Sequence, residues 1–111
     1  MKTVTDEQLD EVVERVASAV QPEAVYLYGS HAYGTPHRDS DVDLLVVIPD
    51  PEDGQSTYQK AVETYSSLRG MMIPAEIKVV TQSEFEERSE WLSTIERTVK
   101  EKGEKLYESR S

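Results

Sequence analysis

The sequence contains no cysteine, a single tryptophan and a single phenylalanine. Without cysteine there are no disulfides, no thiolate metal sites and no cysteine nucleophile. No apolar run approaches the ~20 residues needed to cross a bilayer. The opening Met1-Lys2-Thr3-Val4-Thr5-Asp6-Glu7 lacks the apolar stretch of a secretory signal, so the expected location is the cytoplasm, away from membranes. Basic residues are scarce as well: 12 Lys and Arg against 22 Asp and Glu leave a formal charge of -10. That balance repels a nucleic-acid backbone unless the cations cluster. The densest basic stretch, Arg97 to Lys105, is interleaved with Glu96, Glu101 and Glu104. Nucleic acid is therefore not an expected partner, and an anionic small molecule would need a bound cation to mask the repulsion.

What is present fits one globular domain over residues 1–111, with 37% hydrophobic and 31% charged residues. Thr5 followed by Gln8 reads as a capping box, and Leu9, Val12, Val13, Val16 and Val20 recur at helical spacing. This predicts an amphipathic helix over 5–20, ended by Pro22. Ala24-Val25-Tyr26-Leu27-Tyr28 predicts a strand that stops at Gly29-Ser30, and Val42 to Ile48 a second strand after a loop at 31–40. A second helix is marked by Tyr58, Ala61, Val62, Tyr65 and Leu68, and ends near Gly70. A third strand covers 75–80. Thr81, or Ser83 with Glu86, caps a short helix carrying the acidic run Glu84, Glu86, Glu87 and Glu90 on a wet face. Trp91, Leu92, Ile95 and Val99 line a last helix, Gly103 suits a left-handed position past its end, and Lys105-Leu106-Tyr107 suits a short fourth strand. This succession of helices and strands implies an α/β (α+β) fold, a small mixed sheet with helices packed on one face.

Side chains alternate along a strand, so Val42, Leu44, Val46 and Ile48 form one apolar face. Asp41 and Asp43 fall together on the other, roughly 7 Å apart. Two carboxylates so placed repel each other unless a cation lies between them, and they suit a hard oxygen-liganded ion such as magnesium. In the third strand Ala75, Ile77 and Val79 are the apolar face, and Glu76 and Lys78 lie opposite. If the two strands pair directly, Glu76 becomes a third carboxylate near Asp41 and Asp43. Gly29-Ser30 supplies a complement: a glycine straight after a strand admits a ligand close to the backbone, and free N–H groups with a serine hydroxyl bind phosphate. Gly29 and Gly34 also have P-loop spacing, but Thr35-Pro36 stands where Lys-Ser/Thr is required, so that reading fails. His31 and His37 read as solvated loop histidines, and Trp91 and the helical tyrosines as core or interface.

Gly29-Ser30-His31-Ala32-Tyr33-Gly34 followed by Ser40-Asp41-Val42-Asp43-Leu44 resembles the signature of the polymerase-β-type nucleotidyltransferases, in their short form the minimal nucleotidyltransferase (MNT) domain. Glu76 falls where that family keeps its third carboxylate, commonly Asp, and Lys102-Gly103-Glu104-Lys105-Leu106-Tyr107 is similar to the ending of MNT proteins. Many relatives carry arginines where this chain has His31 and Tyr33. The resemblance implies metal-dependent transfer of AMP from ATP to a hydroxyl. Asp41, Asp43 and Glu76 would act as metal ligands and catalytic groups for two Mg2+ ions, and Gly29, Ser30, Ser40 and Lys78 would bind the nucleotide. It implies as acceptor a tyrosine of a helical HEPN-type toxin, with this chain as the antitoxin in a larger, oligomeric assembly. A small hydroxyl compound such as an antibiotic is the alternative acceptor, and a non-catalytic module that blocks its partner by contact is the alternative class.

Overall fold

The computed structural model of the 111-residue chain describes residues 5–29, 42–51, 57–71, 73, 75–91 and 94–109. In chain order these form α1 (Asp6–Val20), β1 (Ala24–Tyr28), β2 (Val42–Ile48), α2 (Thr57–Ser67), β3 (Ala75–Thr81), α3 (Gln82–Arg88), α4 (Ile95–Lys102) and β4 (Glu104–Glu108). The loop expected at 31–40 lies outside the described residues. Among the described residues no helix is long and apolar enough to cross a membrane.

The start of α1 follows from its capping box. Thr5 Oγ1 accepts from the Gln8 N–H at 3.1 Å, and Gln8 Oε1 accepts from the Thr5 N–H at 2.9 Å. Val12, Val16 and Val20 face inward at helical spacing and are buried. The helix closes on Gln21 in the left-handed region (φ 49), just before Pro22.

The strands form one sheet in the order β3-β2-β1-β4. β1 pairs antiparallel with β2 and with β4, and β2 pairs parallel with β3. Val42, Leu44, Val46, Ile48, Val25, Leu27 and Ile77 form the core of one face with Val12, Val16 and Val20 of α1, and α2 packs beside them. The mixed α/β architecture is the one expected. The helices, however, do not keep to one face. On the opposite side Leu45, Val47 and Val80 are covered by Phe85 of α3 and Val99 of α4. The reason is legible in β2: every residue from Val42 to Ile48 except Asp43 is buried and apolar. A strand with apolar residues on both faces needs cover on both faces.

Three local expectations are also corrected. The buried residue of α2 is Thr64, whose hydroxyl donates back to the Lys60 carbonyl at 2.8 Å, while Tyr58, Val62 and Tyr65 are exposed. Trp91 precedes α4 rather than lining it and is 51% exposed; Thr94 is the N-cap there. Gly103 is extended (φ -71) and not left-handed. It is glycine for space, since a Cβ there would lie 2.7 Å from the Val99 carbonyl oxygen.

The cap of α3 is Thr81 with Glu84, which leaves Ser83 for another contact. The Asp50 carboxylate, just beyond β2, accepts from the Ser83 N–H at 2.9 Å and from the Ser83 hydroxyl. These bonds, the hydroxyl first, hold Asp50 below its ordinary 3.8. A carboxylate depressed on folding adds stability above its unfolded pKa and loses it as pH falls through the folded value. Asp50→Ala should therefore be less stable than wild type at pH 7, with the gap closing as pH drops below about 3.8. Denaturation midpoints between pH 7 and pH 2 measure it; a gap independent of pH would rule out the charged form as the cause.

Candidate functional site

The topology brings three separate segments to one end of the sheet. Antiparallel pairing sets the C-terminal end of β1 beside the N-terminal end of β2, with Tyr28 opposite Asp43. Parallel pairing sets the start of β3 there as well, with Asp43 opposite Glu76. Residues opposite one another point to the same face, so Tyr28, Asp43 and Glu76 form a row across three strands about 4.8 Å apart. The condition set by the sequence, direct pairing of the second and third strands with matched faces, is met. Lys78 lies in the next row, opposite Leu45, on that same face and half-buried.

The row stands at the margin of the core. Leu45 and Val47, deeper along β2, are covered by Phe85 and Val99, whereas Asp43 is half-buried and Glu76 exposed. The carboxylates are thus reachable from solvent yet anchored on a strand whose other residues are buried.

Gly29 continues from β1 directly over this row. Its φ of 79 is a left-handed conformation that favours glycine. A Cβ at Gly29 would run into the Asp43 Oδ2 and would stand 3.2 Å from Asp43 Cγ. The glycine therefore makes the room in which the Asp43 carboxylate sits. Gly29 and Asp43, widely separated along the chain, form one cradle.

Of the other sequence-predicted site residues, Ser30, Ser40 and Asp41 lie outside the described residues, as do His31, Tyr33 and His37. Among the described residues no group of three or more His, Cys, Asp or Glu is close enough to hold a metal. The donor chemistry of the row still suits a hard cation, because Asp43 and Glu76 offer only oxygen and the Gly29 cradle leaves the Asp43 carboxylate space at the sheet end. Tyr28 is the member of the row that the sequence reading passed over. Its signal was its place directly before Gly29.

The far end of the same face is built differently. Tyr26 stacks on Phe85 with ring centroids 5.4 Å apart, and Lys105 Nζ lies 5.7 Å from the Tyr26 ring centre. Its hydrogen bond to Glu108, then the neighbouring Tyr26 phenol, hold the Lys105 amine above its usual range. A cavity of about 310 Å³ opens there, lined in part by Glu23, Gln82 and Lys105. It includes neither Gly29, Asp43 nor Glu76.

Comparison with known proteins gives the geometry a context. The family model described as a nucleotidyltransferase domain matches residues 9–106. The protein adenylyltransferase MntA of Shewanella oneidensis is 39% identical over 44 residues, which is 40% of this chain and 32% of that protein. The match thus spans about a third of the curated relative's length. A crystal structure from Sulfolobus solfataricus, assigned to the nucleotidyltransferases, is similar with a TM-score of 0.56 and 28% identity, covering 71% of this chain and 68% of that one. A toxin-antitoxin structure with AMP-PNP shares the fold with a TM-score of 0.54 at 22% identity, over 91% of this chain and 73% of that one.

Proposed function

Because the chain belongs to the nucleotidyltransferase domain family, we propose that it transfers AMP from ATP to a hydroxyl of a protein partner, a tyrosine of a HEPN-type toxin, and so acts as an antitoxin. The observation that carries this reading is the convergence of Gly29, Asp43 and Glu76 at one sheet end. The likeness to a protein adenylyltransferase favours a protein acceptor, and the toxin-antitoxin fold neighbour favours a toxin as that protein.

Asp41, Asp43 and Glu76 would hold Mg2+, in a pair of ions. When bound, magnesium supplies charge neutralisation on the triphosphate and lowers the pKa of a coordinated hydroxyl. Gly29 leaves the backbone bare at the mouth of the site, and Ser30 and Ser40 add hydroxyl donors for phosphate oxygens. Lys78, one row along, offsets negative charge in a chain whose overall charge is -10. Glu76 takes the acceptor's proton as its oxygen attacks the α-phosphorus, and pyrophosphate leaves. The work of the protein is positioning and electrostatic preorganisation.

The test is magnesium-dependent transfer of label from ATP into a HEPN-type partner, for wild type and Glu76→Gln. The variant should keep ATP affinity and lose about a hundredfold in transfer, the range of a positioned general base. Wild-type transfer no better than that of the variant, with normal ATP binding, would retire the enzyme in favour of inhibition by contact.

A further inference from the structure

β3 is an edge strand. Successive residues of a strand turn their N–H and C=O alternately to one side and the other. At an edge, every second residue therefore has no strand to bond. In β3 the outward residues include Ile77, and a side chain serves it: the Tyr65 hydroxyl of α2 accepts from the Ile77 N–H at 2.9 Å and donates to the Ile77 carbonyl at 3.3 Å. One phenol thus satisfies both backbone groups of a residue that the sheet leaves unpaired.

Ile77 directly follows Glu76. The inward neighbours of β3 are held by β2 in register, Asp43 against Glu76 and Leu45 against Lys78. The outward turn between them is held by Tyr65. The helix that carries Tyr65 is itself braced, since Arg15 of α1 donates to the Ser67 carbonyl at 3.4 Å and the Arg69 carbonyl at 3.1 Å at its C-terminal end. Thr64 next to Tyr65 is fully buried. The phenol is therefore fixed at its base, although Tyr65 as a whole is 47% exposed. It packs little core but makes two directed bonds.

We propose that Tyr65 is a positioning residue for Glu76: by clipping the backbone of Ile77, it sets the direction in which the Glu76 carboxylate leaves the edge strand toward Asp43. This rests on the transfer reading given above. A carboxylate that must meet both an acceptor hydroxyl and the Asp43 row tolerates little movement of its backbone. An edge strand held from one side only is free to move in that direction.

The test is Tyr65→Phe, which removes one oxygen and keeps the ring. Amide exchange in the ligand-free protein should speed up at Ile77 by about fivefold, the scale of one net hydrogen bond. AMP transfer should fall by a similar factor in kcat, with magnesium-ATP affinity within about twofold of wild type. Faster exchange at Ile77 with unchanged kcat makes the clip structural only and overturns the proposal. So does a loss of transfer matched by an equal loss of ATP affinity. A wild-type protein that binds ATP but transfers nothing overturns the function and this role together, an outcome distinct from a variant equal to an active wild type.

Discussion

Replacing Asp41 and Asp43 together by Asn should leave the fold standing while magnesium-dependent ATP binding disappears. AMP transfer should fall by at least about a hundredfold, the effect of removing one preorganised electrostatic element. Asp43 is a half-buried acid on a strand whose remaining residues are buried and apolar, and it faces Glu76 across the ladder. Asn keeps the size of each side chain and removes only its charge, so the double variant should melt close to the wild-type temperature. Calorimetry with ATP in the presence and absence of magnesium reads the affinity, and thermal melting reads the fold. An unchanged, magnesium-dependent ATP affinity in the double variant would remove both residues from the site.

Gly29→Ala, which adds a single carbon, should both destabilise the fold and weaken ATP binding. The residue has φ 79, and a non-glycine residue held in so sparsely populated a region costs about 1–3 kcal/mol. The added Cβ also points at the Asp43 carboxylate, so either the glycine turn or the acid must move. Strain of that size corresponds to a fall of about 5–15 °C in Tm for a domain this small. Displacing Asp43 should also weaken magnesium-ATP binding, which a strained surface turn remote from the site would not do. A lowered Tm with wild-type ATP affinity would assign the glycine to the turn alone. The stability part of this prediction stands whatever the acceptor is.

The contrast between these two variants shows what each level of description supplied. Asp43 was placed opposite Val42 and Leu44 by alternation along the strand, which is a property of the backbone itself and needs no partner. The same rule put Glu76 and Lys78 across from Ile77, and the structure keeps that division. The Thr5–Gln8 cap and the valines of α1 were equally readable, because a capping box and a 3.6-residue period are closed within a few residues. Gly29 was legible as a turn glycine with an open face.

Other features depend on which strand lies next to which, and alternation along a chain carries no such information. The register that aligns Tyr28, Asp43 and Glu76 comes from one antiparallel and one parallel pairing that meet on β2. A slip of one residue in either pairing would turn its strand's side chains to the other face. The second helical layer could have been suspected from the two apolar faces of β2, but only packing shows that Phe85 and Val99 provide it. Gly103 looked like a helix-ending left-handed glycine and is instead small because the Val99 carbonyl passes close by. Tyr65 read as a core or interface residue of an amphipathic helix; tertiary packing left it half-exposed, buried Thr64 instead, and gave the Tyr65 hydroxyl to the backbone of Ile77. By itself, then, the sequence determined the residue types, their faces and the local caps, since those follow from short-range backbone geometry. The tertiary structure decided which faces meet, which small residue is small for space, and which side chain completes the edge of the sheet, because each depends on atoms brought together from distant parts of the chain.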